Sequence, residues 1–133
     1  MTNQPPTILL LDDDVDFVAI GECVLRRGGY NVVCCHDTAS AMGLLATQKV
    51  DLVITDLIMG SLDAGLAFAK EVRHDVRTKA IPILILTSVT SQKGYDLRPR
   101  NKEDLAAMNV DAYLDKPAKP QALLAKVAEL LNP

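Results

Sequence analysis

The sequence predicts an α/β fold, a parallel β-sheet covered by helices on both faces. Two observations carry this. First, apolar runs of strand length recur along the chain: Ile8-Leu9-Leu10-Leu11, Leu52-Val53-Ile54-Thr55 and Ile83-Leu84-Ile85-Leu86. Unbroken runs of this length belong to strands buried on both faces. Second, segments of helical spacing alternate with them from end to end. Five such βα units joined by right-handed crossovers leave few topologies other than a doubly wound sheet.

The elements follow in order. Thr7 to Leu11 is the first strand. Phe17, Val18, Gly21, Val24 and Leu25 recur at helical spacing within Val15 to Arg27, and Gly28-Gly29 ends that helix. Asn31 to Cys35 is a second strand, with β-branched Val32 and Val33. Asp37 or Thr38 caps a helix reaching about Gln48, whose apolar stripe is Ala41, Leu44 and Leu45. Val50 to Thr55 is the third strand. A glycine-containing loop from Met59 to Gly65 leads to a helix over about Leu66 to Arg73. Pro82 marks the start of the fourth strand. A long connection, residues 88 to 110, contains a helix at Lys102 to Met108. Asp111 to Leu114 is a short fifth strand. Pro120 suits the first turn of a last helix, which carries the stripe Leu123, Leu124, Val127, Leu130 and Leu131.

A chain of 133 residues with 49% hydrophobic content suits one domain, residues 1–133, with a core of about 7–131. A net charge of -3 gives no concentrated basic surface for nucleic acid. No apolar run approaches the ~20 residues that span a bilayer, and the polar start of the chain is no signal peptide. Cys34 and Cys35 are strand neighbours pointing to opposite faces, so a disulfide framework is not expected and a cytoplasmic location is. Cys23 and one of that pair are expected in the core.

Each apolar run ends in polar chemistry. The first is followed by Asp12-Asp13-Asp14, the third strand by Asp56, the fourth by Thr87-Ser88, and Tyr113-Leu114-Asp115 leads into Lys116-Pro117. In a parallel sheet the ligand site lies beyond the carboxyl ends of the strands, so acids, a hydroxyl and a lysine converge there. Two carboxylates 4 Å apart repel by roughly 4 kcal/mol at an effective dielectric near 20, so such a cluster takes up a proton or a cation. Oxygen donors without thiol or imidazole favour Mg²⁺. Asp56, single at its strand end, is the candidate nucleophile, because a carboxylate accepts a phosphoryl group as an acyl phosphate. Lys116 and the cation would offset charge on the transferred oxygens. Read singly, Asp12, Asp13 and Asp14 are helix-capping acids, and Thr87 bonds its own backbone. Their convergence favours the site.

The set Asp12-Asp13, Asp56, Thr87-Ser88, Tyr113 and Lys116-Pro117 resembles the receiver domain of bacterial two-component response regulators. The resemblance spans Thr7 to Leu131. It implies a flavodoxin-like sheet in the order 2-1-3-4-5. It also implies that Asp56 takes phosphate from the phosphohistidine of a histidine kinase or a histidine phosphotransfer protein. Asp13 and Asp56 would bind Mg²⁺ with the main-chain carbonyl of Ile58, and Asp12 would assist through water. Thr87 and Tyr113 would form the switch pair. Ser88, Ile58 and Val89 would govern phosphoryl access and lifetime. Ile58 and Val89 are apolar and cannot orient an attacking water, so slow hydrolysis is expected.

The chain departs from the family pattern in three places. Gly60-Ser61-Leu62-Asp63-Ala64-Gly65 lacks the usual proline after Met59 and carries an extra residue. Ala118 stands where an aromatic residue is usual. The stretch from Val89 to Asn109 is long. Two other functions compete. One is a receiver-like binding module that works without phosphorylation. The other is a haloacid dehalogenase-like phosphohydrolase using Asp12 and Asp14, which Asp16 and the lack of a later acidic pair disfavour. The expectation is a signalling phosphoacceptor that catalyses only its own phosphorylation and dephosphorylation. No output domain is expected after Pro133, so the expectation is action by contact, either docking on a protein target when phosphorylated or passing the phosphoryl group to a histidine phosphotransfer protein, with no nucleic acid or membrane partner.

Overall fold

The computed structural model describes residues 4–57, 59, 64–87, 101–116 and 118–132, with Thr87 described by its backbone alone. The elements run β1 (Thr7–Leu11), α1 (Val15–Arg27), β2 (Asn31–Cys35), α2 (Thr38–Thr47), β3 (Leu52–Thr55), α3 (Ala64–His74), β4 (Ile83–Thr87), α4 (Lys102–Ala107), β5 (Ala112–Asp115) and α5 (Pro120–Leu131). The five strands form one sheet in the order β2-β1-β3-β4-β5, every pairing parallel. The strand order inferred from the family resemblance is the one observed.

Alternation along β1 builds the two layers. Ile8 and Leu10 face one way and pack with Val18 and Leu25 of α1 and Leu123 and Val127 of α5. Leu9 and Leu11 face the other way and pack with Ala41 and Leu45 of α2 and Phe68, Ala69 and Val72 of α3. Leu105, near the middle of α4, lies against this second layer. All four β1 side chains are at most 1% exposed, and burying each contributes roughly 1.5–3 kcal/mol.

Caps set the helix starts. The Asp14 carboxylate accepts from the Phe17 N–H at 3.1 Å, Asp37 from Ser40 at 2.7 Å and Asn101 from Asp104 at 2.8 Å. Gly29, at φ 96°, turns the chain out of α1. At the amino ends of the strands, Arg73 in the last turn of α3 donates to Asp111 Oδ2 at 2.6 Å and to the Asn109 carbonyl at 3.2 Å. Asp111 Oδ2 also accepts from the Ile83 N–H at 2.8 Å, which fastens β4 and the entry to β5 to that helix.

Several expected boundaries move. α3 begins at Ala64 rather than Leu66, β3 at Leu52 rather than Val50, and β5 is shifted by one residue. Cys35 is buried as expected of one of the pair, but Cys23 is exposed. α1 turns Val18, Gly21 and Leu25 inward, and a residue two places after Gly21 falls on the opposite side of a helix with 3.6 residues per turn.

Candidate functional site

The parallel register brings the strand ends level. Leu11 lies opposite both Cys35 and Thr55, and Thr87 lies opposite Asp115. The next residues, Asp12, His36, Asp56 and Lys116, therefore emerge at one edge of the sheet. Their backbones are tied together there. The Asp12 N–H donates to the Cys35 carbonyl and the Asp56 N–H to the Leu11 carbonyl, each at 3.2 Å.

Lys116 is the centre of the arrangement. Its Nζ donates to Asp12 Oδ2 at 2.5 Å and to Asp56 Oδ2 at 3.0 Å. The side chains are 14% exposed for Lys116, 1% for Asp12 and 13% for Asp56, so the charges meet largely out of water. Asp12 Oδ1 accepts from the Asp14 N–H at 2.9 Å. Burial pushes the Asp12 carboxyl above the ordinary carboxylate value. The Lys116 hydrogen bond, the Asp14 N–H and the Lys116 charge pull it back, while the Asp56 charge adds to the rise. Burial works to lower the pKa of the Lys116 ammonium, but its hydrogen bonds and charge pairing with Asp12 and Asp56 hold it above the usual lysine value. Leu57, just after β3, is tied to the start of α3: the Gly65 N–H donates to its carbonyl at 2.9 Å.

The structure brings together Asp12, Asp56 and Lys116 as expected, with Asp13 exposed beside them. Among the described residues no three acidic, histidine or cysteine side chains are gathered around a cation position. The oxygen donors present suit Mg²⁺ by chemistry, but two of them are closed on Lys116. The Thr87 backbone ends β4 at this edge. The Tyr113 hydroxyl donates to the Asp115 carboxylate. Ile58, Ser88, Val89 and Pro117 lie outside the described residues, as does most of the expected long connection after β4.

Comparison with known proteins identifies the family. Residues 8–128 match the family model of the response regulator receiver domain. The chain belongs to the response regulator receiver family. The receiver is 32% identical over 135 residues to protein PetR of Rhodobacter capsulatus, covering 99% of the chain and 51% of PetR. It is 30% identical to the DNA-binding dual master transcriptional regulator RpaA of Synechocystis, covering 96% of the chain and 49% of RpaA. It thus spans about half the length of these relatives. Among solved structures, chemotaxis response regulator CheY4 of Vibrio cholerae superposes with a TM-score of 0.80 at 27% identity, covering 96% of this chain and 99% of that one. The receiver domain of sensor histidine kinase PA1611 of Pseudomonas aeruginosa, solved with a magnesium ion coordinated in its active-site cleft, gives a TM-score of 0.80 at 25% identity, covering 97% and 99%.

Two residues at the receiver's site went unassigned in the sequence. His36 Nδ1 lies 3.1 Å from the Asp12 carbonyl. A carbonyl only accepts, so this nitrogen carries the proton. The Phe17 ring lies beneath Lys116, whose Nζ is 4.1 Å from the ring centroid. Phe17 reads in the sequence as one more apolar position of α1. Its charged neighbour lies 99 residues away along the chain (116 − 17), and no local pattern signals it.

Proposed function

We propose that this receiver is a phosphoacceptor of a two-component or phosphorelay system, with Asp56 taking a phosphoryl group from the phosphohistidine of a histidine kinase or a histidine phosphotransfer protein. The observation that carries the reading is the pair of largely buried carboxylates, Asp12 and Asp56, drawn to one ammonium at adjacent strand ends. An Asp56 oxygen attacks phosphorus. The new P–O bond forms as the P–N bond to imidazole breaks, and the departing imidazole takes a proton from solvent. Lys116 transfers a hydrogen bond from a carboxylate to a phosphoryl oxygen and stabilises the charge there. Asp13 and Asp56, with Asp12 through water and the Ile58 carbonyl, would hold Mg²⁺. When bound, the cation offsets the negative charge of carboxylates and phosphoryl group alike. Thr87 donates its hydroxyl to the phosphoryl group and Tyr113 responds by rotating inward. Tyr113 lines an open groove of about 790 Å³ with Leu105, Val110 and Lys126, so its movement would alter a surface available to a protein partner.

The test is intact-protein mass after incubation with acetyl phosphate and Mg²⁺. The wild type gains about 80 Da and Asp56→Ala gains nothing, as a carboxylate nucleophile requires. No gain by folded wild-type protein would overturn the reading in favour of a binding module independent of phosphorylation. Decay of the +80 Da species reads the lifetime. The family resemblance gives Ile58 and Val89 control of that lifetime, and apolar side chains cannot orient an attacking water, so the species persists for minutes or longer; loss within seconds would contradict that role for them.

A further inference from the structure

We propose that Phe17 is a positioning residue for Lys116, its ring face holding the ammonium while the carboxylates change partners. The inference rests on the phosphoacceptor reading and on a contact independent of it. Lys116 Nζ has three N–H bonds. Asp12 and Asp56 accept from it, and the aromatic ring lies 4.1 Å away, well inside the ~6 Å reach of a cation–π contact. The ring is fixed independently of the lysine. Phe17 stands in the first turn of α1, its N–H held at 3.1 Å by the Asp14 cap, and its side chain packs against the apolar layer formed by α1 and α5.

Phosphoryl transfer places conflicting demands on Lys116. The carboxylates that hold it in the resting state are those required for the cation and for the covalent bond, so the ammonium must release them and meet a phosphoryl oxygen. A lysine with four rotatable methylenes would then swing into water. Among the described residues, the ring is the partner that the exchange leaves unchanged. It carries no hydrogen-bond acceptor strong enough to compete with the phosphoryl oxygens, yet it attracts positive charge at a site that is mostly dry. Phe17 touches neither substrate nor reacting atoms and acts through Lys116 alone.

The experiment compares wild type with Phe17→Leu, which keeps an apolar side chain without the π face, and Phe17→Tyr, which keeps the face. The readouts are the acetyl phosphate phosphorylation rate at saturating Mg²⁺, the Mg²⁺ dissociation constant by titration, and the NMR shift of the Lys116 ε-methylene protons. Phe17→Leu lowers the rate about three- to thirtyfold with Mg²⁺ affinity changed less than about twofold, and Phe17→Tyr recovers most of the loss. The ε-protons are shifted upfield by the ring in wild type and Phe17→Tyr, and return to ordinary lysine values in Phe17→Leu. A wild-type rate in Phe17→Leu, or equal impairment of both variants, would overturn the proposal while leaving the phosphoacceptor reading intact. Should Phe17→Leu fail to fold, the wild-type spectrum decides: unshifted ε-protons overturn the contact. If wild type itself takes no phosphate, the functional reading falls and this role for Phe17 with it.

Discussion

Lys116 neutralises two carboxylates that the fold has withdrawn from water, and its removal exposes the cost of that burial. Lys116→Met keeps the length and loses the charge. We expect it to lower stability at pH 7 by about 3 kcal/mol, the usual consequence of leaving a buried charge without its partner. The sign of the pH dependence follows from Asp12. Its pKa is already raised by burial, and Lys116 opposes that rise. Without the lysine the native state binds the Asp12 proton still more tightly, so the variant's deficit shrinks as pH falls toward the carboxylate range. Urea unfolding of both proteins across that range measures it, and a deficit independent of pH would contradict the account. The thiols behave similarly. Burial pushes Cys34 up to about 11 and Cys35 up to about 12. Their contribution to stability is intact below pH 9.0, the ordinary thiol value, and is lost as pH rises through those raised values. At pH 8 a thiol-alkylating reagent should modify exposed Cys23 on the native protein and spare Cys34 and Cys35 until unfolding. Residue type alone points Cys23 inward, because free cysteine is so often buried. The spacing of Phe17, Val18, Gly21, Val24 and Leu25 already excluded it from the inner face.

α3 shows what a local pattern reveals and what it omits. The helix itself was legible, over about Leu66 to Arg73, and the structure buries Gly65, Phe68, Ala69 and Val72 on its inner face. Its start was not, because the packing of Gly65 is a contact between segments. A Cβ at Gly65 would lie 2.2 Å from the Asp56 carbonyl oxygen and 2.6 Å from the Leu57 Cα, distances that only backbone movement can relieve. Gly65→Ala should therefore cost roughly 1–3 kcal/mol, as overpacking against a rigid neighbour does. It should also slow phosphorylation, because the segment forced to move carries the proposed nucleophile. Thermal unfolding beside the acetyl phosphate rate tests both. A variant that loses stability at full phosphorylation rate would separate Gly65 from the site. The short helix α4 was easier to read. The helix expected at Lys102 to Met108 spans Lys102–Ala107, and the structure adds the Asn101 cap that starts it.

At the scale of the whole molecule, the sheet was legible because continuous apolar runs and intervening helical stripes permit few parallel arrangements. The convergence of Asp12, Asp56 and Lys116 followed, since all three immediately trail strands that run the same way. Contacts between adjacent strand ends were beyond that reading. The His36 nitrogen on the Asp12 carbonyl and the Phe17 ring beneath Lys116 depend on the path of the connecting loops, which no periodicity encodes. The central claim is that Asp56, not another acid of the cluster, accepts the phosphoryl group. Its most direct test is to phosphorylate the receiver with acetyl phosphate and Mg²⁺, reduce the acyl phosphate with borohydride and locate the resulting homoserine by peptide mass spectrometry. The account predicts homoserine at position 56 alone. Homoserine at position 12 or 13 would contradict it, and position 12 would point instead to the phosphohydrolase chemistry that the sequence disfavours.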